Sequence, residues 1–199
     1  MQHNDAIPAR RSIRHYTDQP VAPQLIDHLL EAATWAPSAH NRQPWRFAVI
    51  TTQAAKDRLA DTMSERLRSD RSRDGDPIEA IDRDVNRSRE RIVTAPVVIV
   101  VCLSMIDMDH TPDDRRNSLE HAMAMQSVAA SIQNLLLTAH ELGLGACWMC
   151  APLFCPDVVR DALDLPDDWE AQALITIGYP ADEGKPKGRI DFKQKTIYR

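Results

Sequence analysis

The chain has 199 residues, with 43 % hydrophobic and 27 % charged side chains and a formal net charge of -5. These numbers suit a single domain with a core of useful size, built mainly from aliphatic side chains because aromatic residues make up only 5 %. An acidic body lacks the continuous basic face that general nucleic-acid binding needs, and the longest apolar run, residues 95–106, is too short to cross a bilayer and contains Ser104. A cytoplasmic location is therefore expected, with Cys102, Cys147, Cys150 and Cys155 reduced.

Along the chain, the first informative stretch is Arg10-Arg11-Ser12-Ile13-Arg14. Guanidinium forks match phosphate and carboxylate bidentately, and a serine hydroxyl can donate to the same anion. A solvated basic terminus explains the same five residues. Pro23 suits the first turn of a helix, and Leu25, Ile26, Leu29, Leu30 and Ala33 recur at helical spacing as far as Trp35. Pro37 ends that helix. A polar loop from Ser38 to Gln43 follows, bracketed by Pro37 and Pro44. Its amide side chains can read a heterocycle with paired donors and acceptors, or simply connect helix to strand. Residues 45–51 then read as a strand.

Residues 53–69 read as a helix, 68–77 as a charged breaker region, and 78–92 as a highly charged helix with a thin stripe of Ile78, Ile81, Val85 and Ile92. The segment 68–93 is a candidate flap over a site, or else a surface helical hairpin. Residues 96–103 (PVVIVVCL) form the β-branched run of a strand buried on both faces. Residues 119–142 predict a long helix, apolar nearly all round, which places it centrally or in a subunit interface. Gly143 is its stop. A strand over 146–150, a helix over 156–163 and a strand over 171–179 complete an α+β order. The tail is basic: Lys185, Lys187, Arg189, Lys193, Lys195 and Arg199 stand against Asp191 alone.

The Gly143-Leu144-Gly145 turn allows close backbone approach to a ligand but lacks the third glycine of a dinucleotide fingerprint. Cys147, Cys150 and Cys155 admit three readings: a metal site short of one ligand, redox thiols, or small core residues, the last being preferred. No metal is expected. The seven histidines show no paired spacing, and no nucleophile elbow is present. If the chain is an enzyme, a cofactor carries the chemistry and no side chain is expected to be catalytic.

Taken together, RRSIRHY at 10–16, PSAHNRQPWRF at 37–47, GLGACWM at 143–149 and the basic tail around Lys187 and Arg189 resemble the FMN-dependent nitroreductase family over nearly the whole chain. The resemblance implies an α+β three-layer α-β-α sandwich with a mixed sheet. It also implies a domain-swapped homodimer with FMN at the interface, which would account for the apolar helix 119–142, and a C-terminal stretch Thr196-Ile197-Tyr198 that extends the partner's sheet. It assigns Arg10, Arg11 and Ser12 to phosphate and ribityl contacts, Arg14 to the flavin pyrimidine edge, and Lys187 and Arg189 to further phosphate contacts. Pro37, Ser38, Ala39, Asn41 and Gln43 would contact FMN from the other subunit. The backbone of Cys147, Trp148 and Met149 would lie near the reactive flavin nitrogen. The implied activity is reduction of a nitroaromatic, quinone or related conjugated acceptor by NADH or NADPH in two half-reactions. The stretch from Gly143 to Trp169 looks closest to the nitroreductase-like domain of deazaflavin-coenzyme biosynthesis enzymes, so reduction of a dehydro precursor of that coenzyme is the alternative. A flavin-binding protein without turnover is a more distant one.

Overall fold

A computed structural model describes residues 3–199 of the chain. Six α-helices and four strands are found among them: α1 (His3–Ala9), α2 (Pro23–Thr34), β1 (Trp45–Ile50), α3 (Gln53–Arg73), α4 (Ile78–Val93), β2 (Val97–Leu103), α5 (Asp114–Glu141), β3 (Gly145–Met149), α6 (Pro156–Leu163) and β4 (Glu170–Gly178). The sheet order is β1-β2-β4-β3, and all three strand pairs are antiparallel. The parallel component of the expected mixed sheet is confined to a single bridge between Ser12 and Ala146.

Alternation along β2 divides the core in two. Val97, Ile99, Val101 and Leu103 face α2 and α5, meeting Leu29, Ala33, Val128, Ile132 and Leu135. Val98, Val100 and Cys102 face the other way, toward Leu59 and Met63 of α3, Ile92 of α4 and Val159 of α6. The strand is buried throughout because both of its faces are covered by helices. On β4, Ala173, Ile175 and Ile177 belong to the first cluster, yet Ala171 belongs to the second. A register shift between Val101 and Cys102 opposes Ala173 and Ala171 and skips Gln172, which reverses the parity of the strand. The result is three layers, helices on either side of one sheet.

Several element ends differ from the sequence reading. α1 was not expected, since HNDAIPA has no apolar period and contains Pro8. α3 continues to Arg73, one turn past Ser69, with Arg66 paired to Asp70 and Arg73 to Asp70 across that turn. α5 begins at Asp114 rather than Leu119, because the Asp113 side chain accepts the Arg115 N–H at 2.9 Å and caps the first turn. α5 stops as expected at Gly143, which has φ of 75°. The Leu144 N–H bonds the Ala139 carbonyl at 2.8 Å and the Gly143 N–H bonds that of His140 at 3.1 Å. These are the two bonds of a Schellman stop, and they aim the chain straight into β3. Cys150 is a correction. It lies outside the strand and is exposed, because β3 ends at Met149 and the backbone turns there into a short 3-10 helix, Ala151–Phe154.

No helix among the described residues is long and apolar enough to cross a membrane.

Candidate functional site

The site begins with the N-terminal arm. After α1 the chain runs beside β3, where Ser12 pairs with Ala146 and the Ile13 N–H donates to the Ala146 carbonyl at 3.0 Å. The arm is then held against the end of β4: Thr17 N–H donates to Tyr179 O, and Ala181 N–H to His15 O. Tyr16 locks this junction from within. Its hydroxyl lies 2.8 Å from Ile13 O and 2.8 Å from Thr176 Oγ1, and burial pushes its ionisation far above the ordinary phenol range.

Extended backbone alternates its side chains, so burying Ile13 turns Ser12 and Arg14 outward. The arm sits so close to β3 that a Cβ on Gly145 would come 2.7 Å from Ile13 Cγ2. The tail folds back over the same arm: a Cβ on Gly184 would lie 3.0 Å from both Arg11 Cβ and Ile13 Cδ1. His15 Nδ1 and Asp182 Oδ2, 2.8 Å apart, tie tail to arm. The imidazole and the Gly184 N–H hold the Asp182 carboxyl below the usual carboxylate range.

This fold-back joins the two basic ends of the chain. Arg10, Arg11, Ser12, Arg14, Lys185, Lys187 and Arg189 line one cleft of about 270 Å³. Every lining residue except Ser12 is cationic and none is acidic. Arg11 is partly engaged, since its Nη1 donates to the carbonyls of Pro8, Ala9 and Arg10 and caps α1. Arg10 keeps a buried Nε without a hydrogen-bond acceptor. A desolvated guanidinium N–H beside five further cations is the donor set a phosphate monoester satisfies.

Arg14 extends the site. It also borders a neighbouring cleft of about 320 Å³ with Ser12, His15, Arg87, Glu90, Arg91 and Lys185. It borders a third, of about 350 Å³, with Arg71, Asp84, Arg87, Arg91 and the turn Cys147-Trp148-Met149-Cys150. The three clefts share Arg14 as a lining residue, and their walls run from the basic residues of both chain ends to the end of β3. Arg87 and Arg91 were missed in the sequence. They lie one turn apart on α4, but that helix and α3 carry so many arginines and carboxylates that no single pair stands out. The structure sorts them. Arg58, Arg66, Arg68, Arg71, Arg73, Arg83, Arg87 and Arg89 each reach a carboxylate within 4 Å, as Arg87 reaches Asp84 at 2.8 Å, whereas Arg91 reaches none among the described residues.

The loop 37–43 stands apart. It packs on the middle of α5, where Ala39 N–H donates to Ser127 Oγ at 3.2 Å. Ser38 Oγ accepts the Gln43 N–H at 3.1 Å, and Arg42 pairs with Asp109. Pro37, Ser38, Ala39, Asn41 and Gln43 border none of the three clefts. His40, Asn41 and Gln43 all have positive φ, 49°, 55° and 51°. Left-handed backbone at non-glycine residues costs on the order of 1–3 kcal/mol apiece and tends to persist at ligand clamps. The outer face of α5 also remains partly open, with Leu119 and Met125 exposed.

The cysteines do not form a cluster. Among the described residues no group of three His, Cys, Asp or Glu could hold a metal ion. Cys102 and Cys155 are buried thiols pushed up to about 12 and about 11 by desolvation, and Cys147 shifts the same way for the same reason.

The geometry has counterparts among known proteins. Residues 7–179 match the model of the nitroreductase family. An NADH dehydrogenase of Thermus thermophilus is 31 % identical, the match covering 96 % of this chain and 92 % of the relative. A 5,6-dimethylbenzimidazole synthase of Rhodospirillum rubrum is 30 % identical over 87 % of this chain and 80 % of its own length. A Desulfovibrio desulfuricans protein, solved in complex with FMN, is 30 % identical and superposes with a TM-score of 0.76, covering 100 % of this chain and 97 % of that one.

Proposed function

The chain belongs to the nitroreductase family, and from that premise we propose that it is an FMN-dependent oxidoreductase which takes electrons from NADH or NADPH and passes them to a small oxidised acceptor. The observation that carries the reading is the acid-free cleft between Arg10, Arg11, Ser12, Arg14, Lys185, Lys187 and Arg189, with its buried, unanswered Arg10 Nε. Those residues suit a phosphate ester of FMN's kind, and a structural relative at 30 % identity holds FMN.

FMN, when bound, supplies the redox chemistry: it accepts a hydride equivalent and returns the electrons. The chain's own residues bind and orient. Arg10, Lys187 and Arg189 would hold the phosphate, with Ser12 donating a hydroxyl and Arg11, which caps α1, adding charge. Arg14, which borders all three clefts, would offer a positive charge to the pyrimidine edge of the ring, since an opposite charge within about 4–6 Å favours the ionised form. Cys147, Trp148 and Met149 line the third cleft, and their backbone would lie near the reactive nitrogen of a bound flavin. No side chain is assigned as acid or base.

The loop of Pro37, Ser38, Ala39, Asn41 and Gln43 serves the site of a second copy in a homodimer. Its distance from the chain's own groove supports this, and so does its strained backbone. The exposed apolar residues of α5, together with Ile197 and Tyr198 in the tail, supply surface for such a dimer. The α3–α4 segment, 68–93, covers the groove from the side of Arg87 and Arg91. The acceptor is a nitroaromatic, a quinone or a related conjugated molecule. Reduction of a dehydro precursor of the deazaflavin coenzyme is a second reading, resting on the resemblance of residues 143–169.

The test is direct. Purified protein should be yellow or should take up FMN, NADH or NADPH should bleach that flavin under anaerobic conditions, and an added quinone or nitroaromatic should restore it. A protein that gains no flavin absorbance on titration refutes the proposal.

A further inference from the structure

The tail carries a carboxylate beside an anion pocket. Asp182 borders two clefts next to the cation-lined one: that of about 320 Å³ with Arg14 and His15, and a further one of about 300 Å³ with Arg10 and Arg11. A negative charge there repels a phosphate, so by Coulomb's law alone the pocket would bind better without it. The contacts of Asp182 work against that repulsion. Its Oδ2 lies 2.8 Å from His15 Nδ1, and its Oδ1 accepts the Gly184 N–H at 2.8 Å. Up to Ala181 the tail is tied to the arm by backbone: Tyr16 bridges Pro180, and the Ala181 N–H donates to His15 O at 3.0 Å. Beyond Ala181, among the described residues, the contact of Asp182 with His15 is the one hydrogen bond between tail and arm, while Gly184 and Arg189 bond only within the tail. Gly184, with φ of 69°, turns the chain there, close against Arg11 and Ile13. Lys185, Lys187 and Arg189, half of the cations that line the pocket, all lie past that turn.

Resting on the flavoenzyme reading above, we propose that Asp182, acting through His15, is a positioning residue that holds Lys185, Lys187 and Arg189 over the arm and so tightens the grip on the phosphate of the cofactor. Neither Asp182 nor His15 lines the cation-lined cleft itself. The hold is partly one of charge. The groups facing the pair are Arg14 of the arm, Arg87, Glu90 and Arg91 of α4, and Lys185 of the tail. His15 and the Gly184 N–H keep the Asp182 carboxyl below the ordinary carboxylate range, so the carboxylate side of the contact is complete above about pH 4. Imidazole changes charge between about pH 5 and 8, so the contact loses its cation as pH rises through that range. The hold is therefore strongest between about pH 4 and 6. The side chain of His15 is 77 % exposed and that of Asp182 46 %, which keeps the charge effect to a few-fold.

The experiment is a fluorescence titration of FMN at pH 6 into wild type, Asp182→Asn, Asp182→Ala and His15→Gln. Removing a carboxylate beside an anion site tightens binding if charge repulsion is all that it contributes. Positioning gives the opposite sign: about 2- to 5-fold weaker FMN in Asp182→Asn and His15→Gln, and about 10-fold weaker in Asp182→Ala, which loses both hydrogen bonds. Repeated from pH 5.5 to 8.5, the advantage of wild type over His15→Gln should shrink by about 2- to 5-fold as pH rises. In the Asp182→Asn background the His15→Gln substitution should show no such trend, which separates a hold through Asp182 from a direct pull on the phosphate by His15, or by His140 of the adjoining cleft. Equal or tighter FMN binding in the two Asp182 variants overturns the proposal. So does an advantage over His15→Gln that is constant across pH, and so does a lower Tm with wild-type affinity, which would leave Asp182 a purely structural role. If wild type takes up no FMN, the flavoenzyme reading falls separately. Calorimetric titration of the purified proteins with inorganic phosphate then decides the role of Asp182: weaker phosphate binding in Asp182→Ala upholds it, and equal or tighter binding, or none in wild type, overturns it.

Discussion

Replacing Gly145 by alanine tests whether the groove depends on how closely the N-terminal arm lies against β3. The new methyl would meet Ile13 at 2.7 Å from Cγ2, 2.8 Å from Cβ and 3.0 Å from Cγ1. None of these is the far end of a flexible side chain. Ile13 is 6 % exposed, and the Gly184 segment lies close against its Cδ1. Overpacking of this kind costs about 1–3 kcal/mol. For a chain of this size each kcal/mol corresponds to about 2–4 °C in Tm, so a drop of about 2–12 °C is expected. The less costly relaxation is to lift the arm, which lengthens the 3.0 Å bond from Ile13 N–H to Ala146 O and moves Ser12 and Arg14, the residues on either side. Flavin affinity should therefore fall more than stability alone explains. Thermal unfolding with and without FMN, together with a fluorescence titration of FMN into the folded variant, reads both effects. Wild-type Tm and wild-type FMN affinity in Gly145→Ala would refute the argument.

Other outcomes follow from the same geometry. Arg14→Ala should weaken FMN binding about 10- to 100-fold or slow flavin reduction by a similar factor, because Arg14 borders all three clefts; unchanged binding and reduction kinetics would count against its assignment. The Asp84 carboxyl is held below the usual range first by its hydrogen bond from Arg71 and further by Arg87. Its contribution to stability is therefore complete above the unfolded value near 4 and disappears as pH falls through the lower folded value. Urea midpoints of wild type and Asp84→Asn should differ at pH 7 and converge below about pH 4, and a gap that stays constant from pH 7 to pH 2 would show that the ion pairs of the hairpin do not matter. Cys150 is the exposed cysteine, while Cys102, Cys147 and Cys155 are buried with raised ionisation. A thiol reagent at pH 8 should thus modify one cysteine quickly and the rest only on unfolding, and several fast thiols would contradict the packing.

Much of the fold is legible because burial imposes a period. The spacing of Ile26, Leu29 and Ala33 marks α2, and the unbroken PVVIVVCL run marks a strand with helices on both faces. α1 escaped because it has no such period, and the first turn of α5 because a capping aspartate rather than apolar spacing defines it. The parity switch at Gln172 was invisible for a related reason: a register shift depends on the partner strand, not on the strand itself.

The site divides along the same line. Clusters of like charge at the two ends of an acidic chain, and glycines where backbone must approach backbone, are local facts, and the structure brings the two basic clusters into one cleft. Charge type and backbone freedom are properties of a residue, so the sequence carries them. Pairing is a property of two. Whether an arginine of α3 or α4 is consumed by a carboxylate or left free depends on which side chains meet across packed helices. Only the tertiary structure could single out Arg91 from its neighbours, bring Lys187 and Arg189 onto Arg10, and hold the loop 37–43 away from the groove of its own chain.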